Sequence, residues 1–135
     1  MKNLLFSPEE RIELTKQAFK NQGRLCIVGY SGLTIAFAEE IEAIAIVRGL
    51  RVFSDFEYEF RMALANKRLN KEIDVITLIT SEKHTFLSSS TIKEIAALKG
   101  DVSSMVPDFV ASALIEKFKT LGEGQNIVPL TSLRD

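Results

Sequence analysis

Short apolar runs alternate with longer stretches of helical periodicity along this chain, and that alternation constrains the fold more than any other feature. "RLCIVGY" (24–30), "IAIVRG" (44–49) and the β-branched "DVITLITS" (74–81) read as strands. "SGLTIAFAEEIEA" (31–43) and "SDFEYEFRMALANKRL" (54–69) read as the helices between them. Strands that alternate with helices imply right-handed crossovers and a parallel α/β sheet. Such sheets bind ligands beyond the carboxyl ends of their strands, where loops run into helix N-termini.

The outer segments read as helices too. In "SPEERIELTKQAF" Ser7 is the expected N-cap, Pro8 takes the first helical position, and Glu10 completes a capping box. Ile12, Thr15 and Phe19 follow one face of that helix, and Gly23 is the expected stop. Ser54 is expected to cap the 54–69 helix, with Glu57 three residues on. "STIKEIAALKG" (90–100) ends at Gly100, and a last helix runs from about Pro107 to Leu121 with Val110, Leu114 and Phe118 in register. "GEGQNIVPLTSLRD" loses that periodicity, so the expected organisation is one domain over 1–121 and a loose tail over 122–135.

Composition narrows the function classes. With 46% hydrophobic and 26% charged residues, the chain has what a globular domain needs to bury a core. Its 17 lysines and arginines almost balance 18 acids, so no basic field points to nucleic acid. The single cysteine, Cys26, is expected in the core and excludes an internal disulfide, which makes a reducing cytoplasm the expected compartment. No apolar run reaches membrane-spanning length, and the first residues do not read as a signal peptide. The nine phenylalanines stand mostly at helical spacing and are expected in the core.

Two constellations carry chemistry. The strand "IAIV" ends on Arg48, and the loop "RGLR" offers Arg48 and Arg51 around Gly49, a residue that permits close backbone approach. Guanidinium forks suit phosphate oxygens. Spacing alone is equally compatible with surface pairs to Asp55 and Glu59, and a carboxylate there could accept from ribose hydroxyls or orient an arginine. The second constellation is "FLSSSTIKEI", three serines where a loop enters a helix. Such hydroxyls and free N–H groups form an anion site, to which Lys93 adds charge. Capping by Ser90 or Thr91, with Glu94 as box partner, needs only one of them, so three favour a polyphosphate. His84 is the only histidine and reads as a solvated loop residue, which leaves no histidine metal cluster or Ser–His triad within these residues. Neither a GxGxxG nor a Walker sequence is present.

Taken together, "RGLRVFSDFEYEFRMALANKRL", "HTFLSSSTIKEIAALKGDVSSMVP" and "FSPEERIEL" resemble bacterial phosphopantetheine adenylyltransferases, from Lys2 to about Phe118. The resemblance implies a Rossmann-like nucleotidyltransferase fold, a parallel sheet with helices on both faces. It also implies transfer of an adenylyl group from ATP to 4′-phosphopantetheine, with Mg²⁺ on the ATP phosphates, in a cytoplasmic homohexamer. By position, it implies that Lys2, Thr34 and Arg48 bind the phosphopantetheine side. Gly49, Leu50, Arg51 and Glu59 then line the ATP site with the loop of His84, Thr85, Phe86, Leu87, Ser88, Ser89 and Ser90. No metal ligand in this chain follows from it.

The family opens with a strand, a T/H-x-G-H loop, a helix and a second strand, to which nothing in these residues corresponds. The catalytic residues are therefore not assigned, and the simplest expectation is a sequence that starts later than its relatives. Strands 24–30 and 43–47, which would flank the two absent strands, are expected to lack neighbours. The other readings are a related adenylyl- or cytidylyltransferase, against which RGLR with DFEYE counts, and a non-catalytic nucleotide-binding remnant or interaction partner of full-length subunits.

Overall fold

The computed structural model describes residues 4–123. In chain order they form α1 (Pro8–Ala18), α2 (Thr34–Glu40), β1 (Ala45–Leu50), α3 (Phe53–Leu69) and β2 (Asp74–Ile79). A 3-10 turn (Glu82–His84), α4 (Ser89–Ala97) and α5 (Asp108–Glu123) complete them. The chain divides into two compact units, residues 30–86 and residues 1–29 with 87–135.

The 30–86 unit is a βαβ element, as the alternation requires. β1 and β2 pair in parallel, in register from Ala45 opposite Asp74 to Leu50 opposite Ile79, with α3 as the crossover. Lys67 in the last turn of α3 holds Asp74 at the start of β2, at 2.7 Å. Asn70 fixes the turn between them. Its amide donates to Glu39 on α2 at 2.7 Å, and its carbonyl oxygen accepts from the Glu72 N–H at 2.8 Å. Ile35 and Ala38 on α2 bury against Ile73, with Ala43 and Ile46 packed alongside.

In the other unit α1 begins on the capping box read from the sequence. The Ser7 hydroxyl accepts from the Glu10 N–H at 3.1 Å, and the Glu10 carboxylate accepts from the Ser7 N–H at 2.7 Å. The same carboxylate accepts from Lys117 on α5 at 2.7 and 2.9 Å, and that ammonium lies 5.7 Å from the centre of the Phe6 ring. The Lys117 hydrogen bond, followed by the Ser7 N–H, holds the Glu10 carboxyl below its ordinary 4.5. A depressed folded-state pKa contributes stability above the unfolded value and loses it as the pH falls through the folded one. Glu10→Gln should therefore lower the urea midpoint at about pH 7, and the gap to wild type should begin to narrow as the pH drops below about 4.5 and close once it is below the depressed folded-state value. A gap of constant size at every pH would overturn that account.

α2 and α4 close alike. After α4, Gly100 N–H reaches Ile95 O at 2.8 Å and Lys99 N–H reaches Ala96 O at 3.0 Å; after α2, Ala43 N–H reaches Ala38 O at 2.8 Å and Glu42 N–H reaches Glu39 O at 3.0 Å. Both are Schellman closures. The left-handed residue is Lys99 (φ 60°) or Glu42 (φ 54°) rather than glycine. Gly100, expected as the stop, serves one position later: a Cβ there would come within 2.5 Å of the Ile95 side chain.

Several expectations change. α1 ends at Ala18, well before Gly23, and α5 continues to Glu123. Residues 24–30 form no strand. A strand exists only by pairing, and among the described residues the sheet has two strands, β1 and β2. Cys26 is consequently exposed rather than in the core. Phe19, Phe53, Phe56, Phe60 and Phe86 are exposed as well, and Phe6, Phe37, Phe109 and Phe118 are half-buried. Among the described residues only Ile35, Ala38, Ile73, Val102 and Leu114 form buried apolar core. Val47, Ile76, Leu78 and Ile79 leave much of the sheet's apolar surface open, where a parallel sheet ordinarily has both faces covered.

Candidate phosphate-binding site

β1 is displaced by one residue from the expected 44–49 run and ends on Leu50. Arg48, Gly49 and Leu50 belong to the strand, with Arg48 opposite Thr77, and Arg51 is the first residue past it. Arg48 thus projects from a hydrogen-bonded backbone rather than a loop. Its Nε donates to Glu59 Oε2 at 2.8 Å and its Nη2 to Glu59 Oε1 at 2.6 Å, a two-bond fork between β1 and the second turn of α3. The hydrogen bond from Arg48 holds the Glu59 carboxyl below its ordinary value, reinforced by the guanidinium charge and opposed by burial and by Asp55. The same bond raises Arg48, with burial opposing and the Glu59 charge adding to the rise.

Arg51 lies where the chain turns into α3. Its backbone N–H and its Nε approach Asp55 Oδ2 at 3.4 and 3.3 Å, so the acid folds back over the helix start. α3 begins with Val52 as N-cap and has no side-chain cap bond. Ser54, expected as the cap, instead lies in the first turn. Bulky Val52 takes the extended backbone (φ −136°, ψ 164°) that a cap position requires.

Thr34 opens α2, and its Oγ1 lies 2.8 Å from the Tyr30 hydroxyl. The Tyr30 ring stacks on Phe37 with centroids 4.5 Å apart. The 30–86 unit therefore groups Thr34 and Tyr30 with Arg48, Glu59 and Tyr58. Tyr30 and Tyr58 were not singled out from the sequence. The i, i+4 spacing of Tyr30 and Thr34, a helix-like interval just before a helix, is the signal that pointed there. His84 closes the 3-10 turn with Nδ1 3.1 Å from Ser81 Oγ, and Thr85 donates to Glu82 O at 2.5 Å. Phe86 ends this unit with its ring exposed.

Leu87, Ser88, Ser89 and Ser90 belong to the other unit. Ser88, not Ser90 or Thr91, caps α4: its Oγ accepts from the Thr91 N–H at 3.1 Å and lies 2.9 Å from Thr91 Oγ1. Three adjacent serines left that choice open, and backbone conformation decides it, because Ser88 is the extended one (φ −140°, ψ 153°). Ser89 and Ser90 then occupy the first turn, and Lys93 stands half-buried one turn on. Lys2 lies outside the described residues. Among the described residues no group of three or more histidines, cysteines or acids could hold a metal ion.

Residues 1–95 match the family model described as cytidylyltransferase-like. A phosphopantetheine adenylyltransferase of Caldanaerobacter subterraneus subsp. tengcongensis is 50% identical over 118 residues, which span 87% of this chain and 74% of that protein. One from Thermomicrobium roseum is 48% identical over 120 residues, 89% of this chain and 72% of the relative. A third, from Desulforamulus reducens, is 45% identical over 117 residues, covering 87% and 73%.

Proposed function

The chain belongs to the cytidylyltransferase-like family and, within it, to the phosphopantetheine adenylyltransferases, and on that premise we propose that its site serves an enzyme that makes dephospho-coenzyme A. A phosphate oxygen of 4′-phosphopantetheine attacks the α-phosphorus of ATP. The bond from that phosphorus to the bridging oxygen of the β-phosphate breaks, and pyrophosphate leaves. The observation that carries the reading is identity near one half, over nearly nine-tenths of the chain, to proteins of that name.

Arg48 and Thr34 take the acceptor side, together with Lys2. Gly49, Leu50 and Arg51 take the ATP side with the segment from His84 to Ser90, and the resemblance puts Glu59 there too. The guanidiniums at the end of β1 support this division, because charge-assisted bonds to phosphate are the strong ones. Magnesium bound to the nucleotide would neutralise its phosphate charge, which fits a site whose nearest acids, Asp55 and Glu59, are each bonded to an arginine. A homohexamer in the cytoplasm completes the proposal. Its support is the exposed apolar surface on β1, β2 and α3. No helix among the described residues is long and apolar enough to cross a membrane.

Calorimetry on single variants tests the division. Arg48→Ala should weaken 4′-phosphopantetheine and Arg51→Ala should weaken ATP, each by about 1.5–3 kcal/mol. Unchanged affinity for both ligands in both variants would overturn the assignment.

A further inference from the structure

α4 and α5 leave an apolar groove of about 910 Å³ between them, away from the arginines of β1. Ala96, Gly100 and Val102 line it from the end of α4 and the turn beyond, and Ile115, Phe118 and Gly122 line it from α5. Val102 is 4% exposed, but Ile115 is 67% exposed. Apolar surface of that kind stabilises a fold once something covers it. The acid in the lining, Asp101, already accepts from the Ser103 N–H at 2.9 Å, so it does not call for a cation.

We propose that residues 127–133 of this same chain fold back into the groove. The chain leaves α5 at the groove itself, since Gly122 is part of the lining and the helix ends at Glu123. The wall from Ala111 to Gly122 is about 16 Å long at the helical rise, and seven extended residues span about 23 Å. Gly124 and Asn126 are residue types that reverse a chain, which lets the segment run back along α5. Val128 precedes Pro129, and that pairing favours extended backbone. Extended backbone puts Val128 and Leu130 on one side, to face the groove. No charge falls between Gly124 and Leu133, so the segment can be buried without desolvating an ion. Loss of helical periodicity, which marks this stretch as a tail, does not oppose an extended strap. Such a strap would tie α4, whose first turn carries Ser89 and Ser90, more firmly to α5.

NMR on the full chain locates the segment. Exposed Cys26 is the only cysteine, so Cys26→Ser with Thr131→Cys leaves one thiol for a nitroxide, on the side of the segment turned away from the groove. The spin label should erase most of the methyl intensity of Val102, Ala111 and Ile115, and leave that of Val47, Leu78 and Ile79 intact. Broadening of the sheet methyls instead, or of neither set, would overturn the proposal. In a mixture where one population carries the nitroxide and another the isotope, broadening of the groove methyls would mean that the segment enters a second copy, and would overturn it as well. An energetic test needs no label. Val128→Ser with Leu130→Ser should lower the urea midpoint, and Ile115→Ala should then lower it by less than it does with the segment unchanged. Equal losses in the two backgrounds would show that Ile115 and the segment do not touch.

Discussion

Supplied with ATP, 4′-phosphopantetheine and magnesium, the 135-residue polypeptide by itself is expected to release pyrophosphate no faster than background. In-line displacement builds negative charge on the α-phosphate, and a preorganised donor aimed at that charge contributes about 10²–10³ in rate. The family resemblance gives that task to the histidines of a T/H-x-G-H motif. Here the only histidine is His84, which closes a 3-10 turn with Nδ1 against Ser81, in a segment proposed for the ATP phosphates. Joining a segment with the T/H-x-G-H motif ahead of Met1 is expected to restore turnover. A continuous pyrophosphate assay measures both. Robust turnover by the 135 residues alone would overturn the expectation and would transfer the charge-stabilising role to groups such as the β1 arginines.

The largest stability effect of a single substitution is expected from Ile73→Ala. Ile73 is 4% exposed and joins α2 to the strand pair through Ile35, Ala38, Ala43 and Ile46. Removing a buried isoleucine to alanine typically costs about 2–5 kcal/mol, and a whole domain has about 5–15. With so few other buried contacts, the loss falls on the joint that holds α2 in place. Ile76→Ala removes the same atoms from a strand position that is 48% exposed, and should cost well under half as much. Urea midpoints for the two variants make the comparison. Equal losses would mean that the cluster around Ile73 does not organise this unit.

What could be read in the sequence was whatever depends on neighbours along the chain. The Ser7–Glu10 capping box, the helix of the DFEYE segment and the parallel pairing across it all follow from local spacing. The apolar run 24–30 misled because apolarity marks a strand only where a partner supplies hydrogen bonds. The helix starts shifted because a cap is chosen by backbone conformation. That excluded Ser54 in favour of Val52, and chose Ser88 among three serines. The Arg48–Glu59 fork joins residues eleven apart across a strand-to-helix turn. Spacing left it as one of two readings, and only the geometry of that turn fixes it. Family membership was legible because RGLR and DFEYE can be recognised as whole strings, which no rule of periodicity needed to interpret.

The shortage of buried apolar side chains has a calorimetric consequence. Unfolding exposes little apolar surface that water does not already touch, so the heat-capacity increment should fall well below the usual 12–15 cal/mol/K per residue, roughly. Stability then varies gently with temperature, without the pronounced dome of a well-filled domain, and the denaturant slope is correspondingly small. Any polypeptide or further copy of the chain that covers Val47, Leu78, Ile79 and the α3 phenylalanines would do more than raise the midpoint. It would steepen both curves and turn a gradual loosening into a single cooperative transition.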